Sequence, residues 1–170
     1  DCIKKYFQEN NIQGELHEVQ WKNFGYNRTL VFEKAKNKGD YYLVIDADDI
    51  LKGNKIIINN DDYDSYYIEI KYNNLLFKRK QLFSSKYNWK YVGVLHEYAE
   101  CEKKDIKIGI IKDSYIEAHT EGSRSKQKDK YKKDVDILLQ GIKNEPNNIR
   151  YYFYLANSYY DSGDYENAKI

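Results

Sequence analysis

Methionine is absent from this chain, proline occurs once, and cysteine twice. The two cysteines, Cys2 and Cys101, stand apart with no paired spacing and no nearby His-x-Cys pattern, so neither a disulfide framework nor a zinc cage is expected. Reduced thiols point to a cytoplasmic setting, bacterial or that of a host cell. No apolar run approaches the roughly 18 residues that cross a bilayer, and no secretory leader is visible, so no membrane span is expected. An excess of one charge sign is also missing. Lys and Arg number 28 against 27 Asp and Glu, a net charge of +1, which offers no global field for nucleic acid or an anionic membrane. The missing methionine predicts an internal piece of a longer protein, with any targeting signal outside it.

What is present is enough to bury a core. A chain of 170 residues predicts one domain plus a fragment of another. Hydrophobic residues make up 41%, but nineteen are tyrosines, so much of the interior must be built from rings whose hydroxyls still need partners.

The order of periodicities predicts an α/β protein. Ile3, Tyr6 and Phe7 mark a short amphipathic helix over 2–11, stopped by Gly14. Leu16 to Gln20 alternates weakly, as a strand does. Phe24, Leu30, Val31 and Ala35 predict a second helix reaching Lys38 with Gly39 as its cap, and the apolar run Tyr41 to Ile45 reads as a buried strand. Helix, strand, helix, strand is the rhythm of a parallel sheet. Beyond residue 65 the pattern turns to strands. Tyr66 to Tyr72 and Leu75 to Phe83 alternate around Asn73-Asn74, as a hairpin does, and Trp89 to Leu95 and Ile106 to Ala118 add strand-like runs, so a mixed sheet is expected. From Ser125 the period is helical. Val135, Leu138, Leu139 and Ile142 share one face; Pro146 follows, then Tyr152, Leu155, Ala156 and Tyr159. Those last four, with Ala168, match the spacing of a tetratricopeptide repeat, and a plain helical hairpin is the alternative.

Asp46-Ala47-Asp48-Asp49 directly follows the run Tyr41 to Ile45. Carboxylates emerging together at the carboxyl end of a strand occupy the place where open α/β sheets form their ligand crevices. Two of them two residues apart can converge on a divalent cation, whose hard character demands oxygen ligands. The bland alternative is an acidic turn that ends a strand and faces water.

Several separated segments form one ordered set: Trp21-Lys22-Asn23-Phe24 through Asn27-Arg28, the strand ending in Asp46-Ala47-Asp48-Asp49, Arg79 to Phe83, Trp89-Lys90-Tyr91-Val92-Gly93-Val94-Leu95-His96-Glu97, and His119. With the helical tail, this set resembles a family 2 glycosyltransferase of the GT-A fold. The resemblance implies a GT-A (Rossmann-like) mixed sheet flanked by helices over residues 1–122, partial at its N-terminus, and a tetratricopeptide-like tail over 123–170. The family's first strand, with its Asp-rich turn around the uracil base, would lie before Asp1. The 170 residues alone are therefore expected to bind a UDP-sugar weakly or not at all.

Such an enzyme holds a nucleotide-sugar, usually a UDP-sugar, through Mn²⁺ or Mg²⁺ at its Asp-x-Asp motif. By resemblance, Asp46 lies near ribose and metal and Asp48 ligates the metal directly, while Asp49 either supports them or faces water. His119 completes the metal site or merely caps a strand. Glu97 is the implied general base that takes the acceptor proton, where the family more often has a Glu-Asp pair; His96 beside it is either catalytic or a hydrogen-bonded structural residue. Arg28 and Arg79 are implied donor contacts. Arg124 and Lys126, in a Gly/Ser-containing loop, fold over the diphosphate or form a basic linker. Trp89 stacks on an acceptor sugar or belongs to the core. The acceptor is a protein, glycan or lipid, and the helical tail is a possible surface for a protein partner. Two competing readings are a non-catalytic tetratricopeptide scaffold with a degenerate α/β part and a nucleotidyltransferase, which also needs paired carboxylates on metal and phosphate.

Overall fold

In the computed structural model, which describes residues 2–58, 62–120, 127 and 129–169, the chain is a mixed α/β protein with a curled sheet and a C-terminal helix pair. The elements are α1 (Cys2–Glu9), α2 (Phe24–Ala35), β1 (Tyr41–Leu43), β2 (Ile50–Gly53), β3 (Ser65–Tyr72) and β4 (Leu75–Ser84). They continue with β5 (Lys90–Val92), β6 (Tyr98–Glu100), β7 (Ile108–Glu117), α3 (Lys130–Asn144) and α4 (Ile149–Asp161). Five strands form one sheet in the order β1-β4-β3-β7-β2, and β5 and β6 pair separately. Among the described residues no helix is long and apolar enough to cross a membrane. Cys2 and Cys101 are free thiols.

The β3–β4 hairpin forms as its alternation predicts. Tyr66, Ile68 and Ile70 point to one face and are buried with Leu82 and Ile116, while Asn73 takes a left-handed φ of 50° in the turn, a conformation cheap for asparagine. A bulge between Tyr66 and Tyr67 shifts the register, so that Tyr66 faces Leu82 and Tyr67 faces Lys80. On the opposite face Phe83, Trp89, Val44, Ala99 and Phe32 of α2 form a second core of interlocked rings. The Phe32 ring lies 5.1 Å edge-on to Phe83 and 5.3 Å stacked on Tyr91.

The first half of the chain departs from its pattern. Leu16 to Gln20 forms no strand, and α2 ends at Ala35, with Lys36 rather than Gly39 as its cap. β1 spans only Tyr41–Leu43, and within the run Tyr41 to Ile45 only Val44 is buried. The reason is position. β1 is an edge strand with one neighbour, β4, antiparallel to it, so one side goes uncovered. The sole parallel pairing among the described strands is β3 with β7; the expected parallel rhythm is therefore wrong for the N-terminal segment. β2 and β6 are short strands that alternation did not foretell.

The helix pair packs on the rest through one loop. Val135 and Leu138 of α3 and Tyr151 and Leu155 of α4 bury Leu95, and Phe24 and Val94 close the cluster. Leu139 is left 38% exposed and Tyr152 is only half-buried, so the buried face of each helix is rotated from the one expected. Gly141 makes the contact close: a Cβ there would lie 2.8 Å from Val94 Cγ2.

Candidate functional site

The acidic segment lies between opposite edges of the sheet. After β1 the chain continues one ladder bond, Val44 N–H to Gln81 O at 2.8 Å, then turns, with Asp49 N–H donating to Asp46 O at 3.0 Å. It enters β2, which pairs with the C-terminal half of β7, Ile50 facing Glu117. This crossing brings Asp49 beside His119, whose backbone N–H donates to Asp49 Oδ1 at 3.1 Å.

α2 supplies the opposing cation. Asn23 caps it by accepting from Tyr26 N–H at 2.8 Å, and Thr29 Oγ1 accepts from Tyr91 N–H at 2.9 Å, fixing the helix along β5. Gly25 permits this approach, since a Cβ there would lie 2.3 Å from Gly93 O. Arg28, one turn in, then bridges two segments far apart in sequence. Its Nη2 lies 2.5 Å from Asp46 Oδ1 and its Nε 2.7 Å from Glu97 Oε1. Burial alone would lower the Arg28 pKa, but the carboxylates of Asp46 and Glu97 outweigh it and hold the guanidinium above its ordinary value. The Glu97 side chain is one-tenth exposed, so this pair is largely desolvated.

Glu97 comes from a tight loop. Gly93 has φ 109°, and a Cβ there would lie 3.3 Å from Glu97 Cα, while His96 adopts a left-handed φ of 53°. The His96 ring stacks on Tyr154 of α4 at 3.9 Å, and His96 O accepts from Arg150 Nη2 at 3.0 Å. His96 is thus engaged by the helix pair through both its ring and its carbonyl. Next to it opens a cleft of about 900 Å³ between β4, the 95–99 segment and the two helices. Arg28, Arg79, His96 and Glu97 are all in its walls.

The structure therefore brings together Asp46, Arg28, Glu97 and, through the cleft wall, Arg79 and His96. Asp49 and His119 join the acidic turn. Burial pushes the Asp49 carboxyl above the ordinary carboxylate value, repulsion from Asp46 and Asp48 adds to this, and the His119 N–H and Arg79 oppose it. His119 Nε2 is a buried atom lying 3.3 Å from Glu117 Oε1 without a hydrogen bond of good geometry. Crowded carboxylates and an under-satisfied imidazole are the donor chemistry of a divalent cation. Among the described residues no three His, Cys, Asp or Glu side chains converge as a cage, and Asp46 would have to leave Arg28 to join one. The donors fit such an ion in kind; their convergence is not preformed.

Trp89 is corrected to the core. It is 4% exposed, its Nε1–H donates to Ser84 O at 2.8 Å, and Phe83 and Tyr87 cover its ring, so no face is left for a sugar. Arg124 and Lys126 lie outside the described residues. Most of the cleft wall was not foreseen, including Tyr91, Gln81, Arg150 and Tyr154. For the last two a signal existed, a cation and a ring four apart on one face of α4. Neither a protein-family model nor a curated protein sequence matches the chain, which leaves geometry and residue chemistry as the basis for its function.

Proposed function

We propose that this chain is the GT-A-like module of a metal-dependent inverting glycosyltransferase, which moves a sugar from a nucleotide-sugar, a UDP-sugar by resemblance, to an acceptor hydroxyl. A tetratricopeptide-like character of the helix pair is part of the same proposal. The observation that carries it is the link Glu97–Arg28–Asp46, which ties a nearly buried carboxylate in a cleft wall to the acidic turn after β1.

In this reading Glu97 is the base. One of its oxygens is held by Arg28 Nε, so the carboxylate is oriented and the other oxygen takes the proton of the acceptor hydroxyl as that hydroxyl attacks the anomeric carbon. Arg28 acts as a positioning residue, and its fork suits two carboxylates at once where lysine would not. Arg79, whose charge also reaches Asp49, is placed to meet donor phosphate. A divalent ion held by Asp48, Asp46 and His119 would supply positive charge opposite the departing diphosphate.

The test uses the protein at its full length. Asp48→Ala abolishes Mn²⁺-dependent transfer from a nucleotide-sugar, and Glu97→Gln lowers kcat by about 10²-fold or more, as loss of a general base does, with an unchanged far-UV spectrum. Unchanged turnover in either variant rejects the role assigned to that residue.

One observation favours a second reading, a peptide-binding scaffold. On α4 the side chains of Ile149, Phe153 and Tyr160 are 82%, 60% and 63% exposed, an apolar stripe of the kind that marks a contact surface. Mn²⁺ with UDP raises the melting temperature of a glycosyltransferase and leaves that of a scaffold unmoved.

A further inference from the structure

We infer that the cleft between β4 and the α3–α4 pair binds an acidic oligosaccharide, with the two helices forming one of its walls. This deepens the glycosyltransferase reading by naming the acceptor class, and it rests on that reading for the fate of the sugar but not for its binding.

Charge carries the first step. The chain as a whole is nearly neutral, at +1, yet the described residues around this cleft include six cations and only three acids. Of the acids, Glu97 already holds Arg28. The cations come from both sides: Lys78 and Lys80 from β4, Lys130 from α3 and Arg150 from α4. The Lys80 Nζ donates to a neutral backbone acceptor, Ala99 O, at 3.0 Å, and burial pulls its pKa down against the raising effect of Glu100. A bound anion supplies what this wall lacks.

Polar groups narrow the ligand further. Gln81 is 1% exposed in the cleft wall, and its Oε1 accepts no hydrogen bond. The Tyr91 hydroxyl, also in the wall, is buried without a hydrogen bond of good geometry although Arg28 is beside it. A buried amide oxygen left unpaired is costly, and it needs a donor, which carboxylate or phosphate alone does not provide. Hydroxyl donors on the ligand, beside its negative charge, match the polar character of this wall. Tyr98 and Tyr131, 44% and 37% exposed, add ring faces on either side. A cleft of about 900 Å³ lies within the size of ligand pockets. Negative charge, hydroxyl donors and flat apolar ring faces together describe a uronate-type sugar chain, and Glu97 in the wall is set to deprotonate one of its hydroxyls.

The experiment is calorimetric titration of the protein, without donor or metal, using oligogalacturonate, an uncharged oligoglucose of matching length, and oligoglutamate of matching charge. Oligogalacturonate binds, and the other two bind at least about tenfold more weakly; Lys78→Glu and Lys130→Glu, on opposite walls, each weaken the uronate by at least about tenfold while the far-UV spectrum stays unchanged. Equal binding of oligoglucose, equal binding of oligoglutamate, no binding of oligogalacturonate, or indifference to both charge reversals overturns the inference. Uronate binding that persists in a protein without transferase activity removes only the catalytic reading, whereas transfer to neutral acceptors without uronate binding removes only this one.

Discussion

Arg28 joins three parts of the chain that the sequence keeps apart: α2, the turn after β1 and the loop before β6. Asp46 and Glu97 each stood out as candidates from their own neighbourhoods, the first at a strand end and the second by resemblance. Their connection did not, because nothing local in either segment reports an ion pair formed across the fold. Tyr66 shows the same limit for burial. Its ring packs against Ile68, Leu82 and Ile116, and burial, with Tyr41 beside it, pushes its hydroxyl from the ordinary 10.0 up to about 12. In the unfolded chain it ionises near pH 10, so the folded state keeps a proton that the unfolded state loses. The contribution of Tyr66 to stability is therefore fully present below pH 10 and is lost as pH rises between 10 and about 12. Denaturant titrations across that window show a shallower alkaline loss in Tyr66→Phe than in the parent; an identical slope contradicts the burial of this hydroxyl.

At the scale of elements, the β3–β4 hairpin and both C-terminal helices were legible because period and punctuation agree. Asn73 turns the chain between two strand-like runs, and Pro146 stands between two helical ones. β1 was misread for a physical reason: an apolar run shows that a segment is covered, not how many strands flank it, and this one has a single neighbour. The docking of α3 was equally hidden, since Gly141 in a helix reads as a weak point and turns out to be a contact. A Cβ at 141 meets Val94 at 2.8 Å and Tyr151 at 3.2 Å. Gly141→Val overpacks this seam and lowers stability by about 1–3 kcal/mol, despite the better helix propensity of valine. A neutral or stabilised variant in chemical denaturation shows that the helices do not sit against Val94.

Across the whole molecule, three buried clusters are laid in series: one on each face of the sheet and a third where Leu95 enters the helix pair. Leu95 is 6% exposed and belongs to the segment that carries His96 and Glu97, so the stability of the helix pair and the shape of the cleft share a side chain. Leu95→Ala removes a buried side chain from that junction and costs about 2–5 kcal/mol. If the helices and sheet unfold together, far-UV and tyrosine-fluorescence transitions shift by the same amount; a shift in the helical signal alone divides the molecule into two units. Charge also changes meaning at this scale. A composition balanced at +1 excluded a global field, but folding gathers cations from β4, α3 and α4 around one opening.

By itself the sequence determined the mixed α/β class, the hairpin, the C-terminal helices, and the candidacy of Asp46 and Asp48, because period, turn residues and clustered carboxylates are local properties; Glu97 was a candidate by resemblance alone. Only the tertiary structure decided that β1 lies at an edge, that Trp89 is core, that Arg28 ties Glu97 to Asp46, and that the helices wall a cationic cleft. Those facts depend on which distant segments meet, and strand order and helix docking are set by burying all the apolar faces at once.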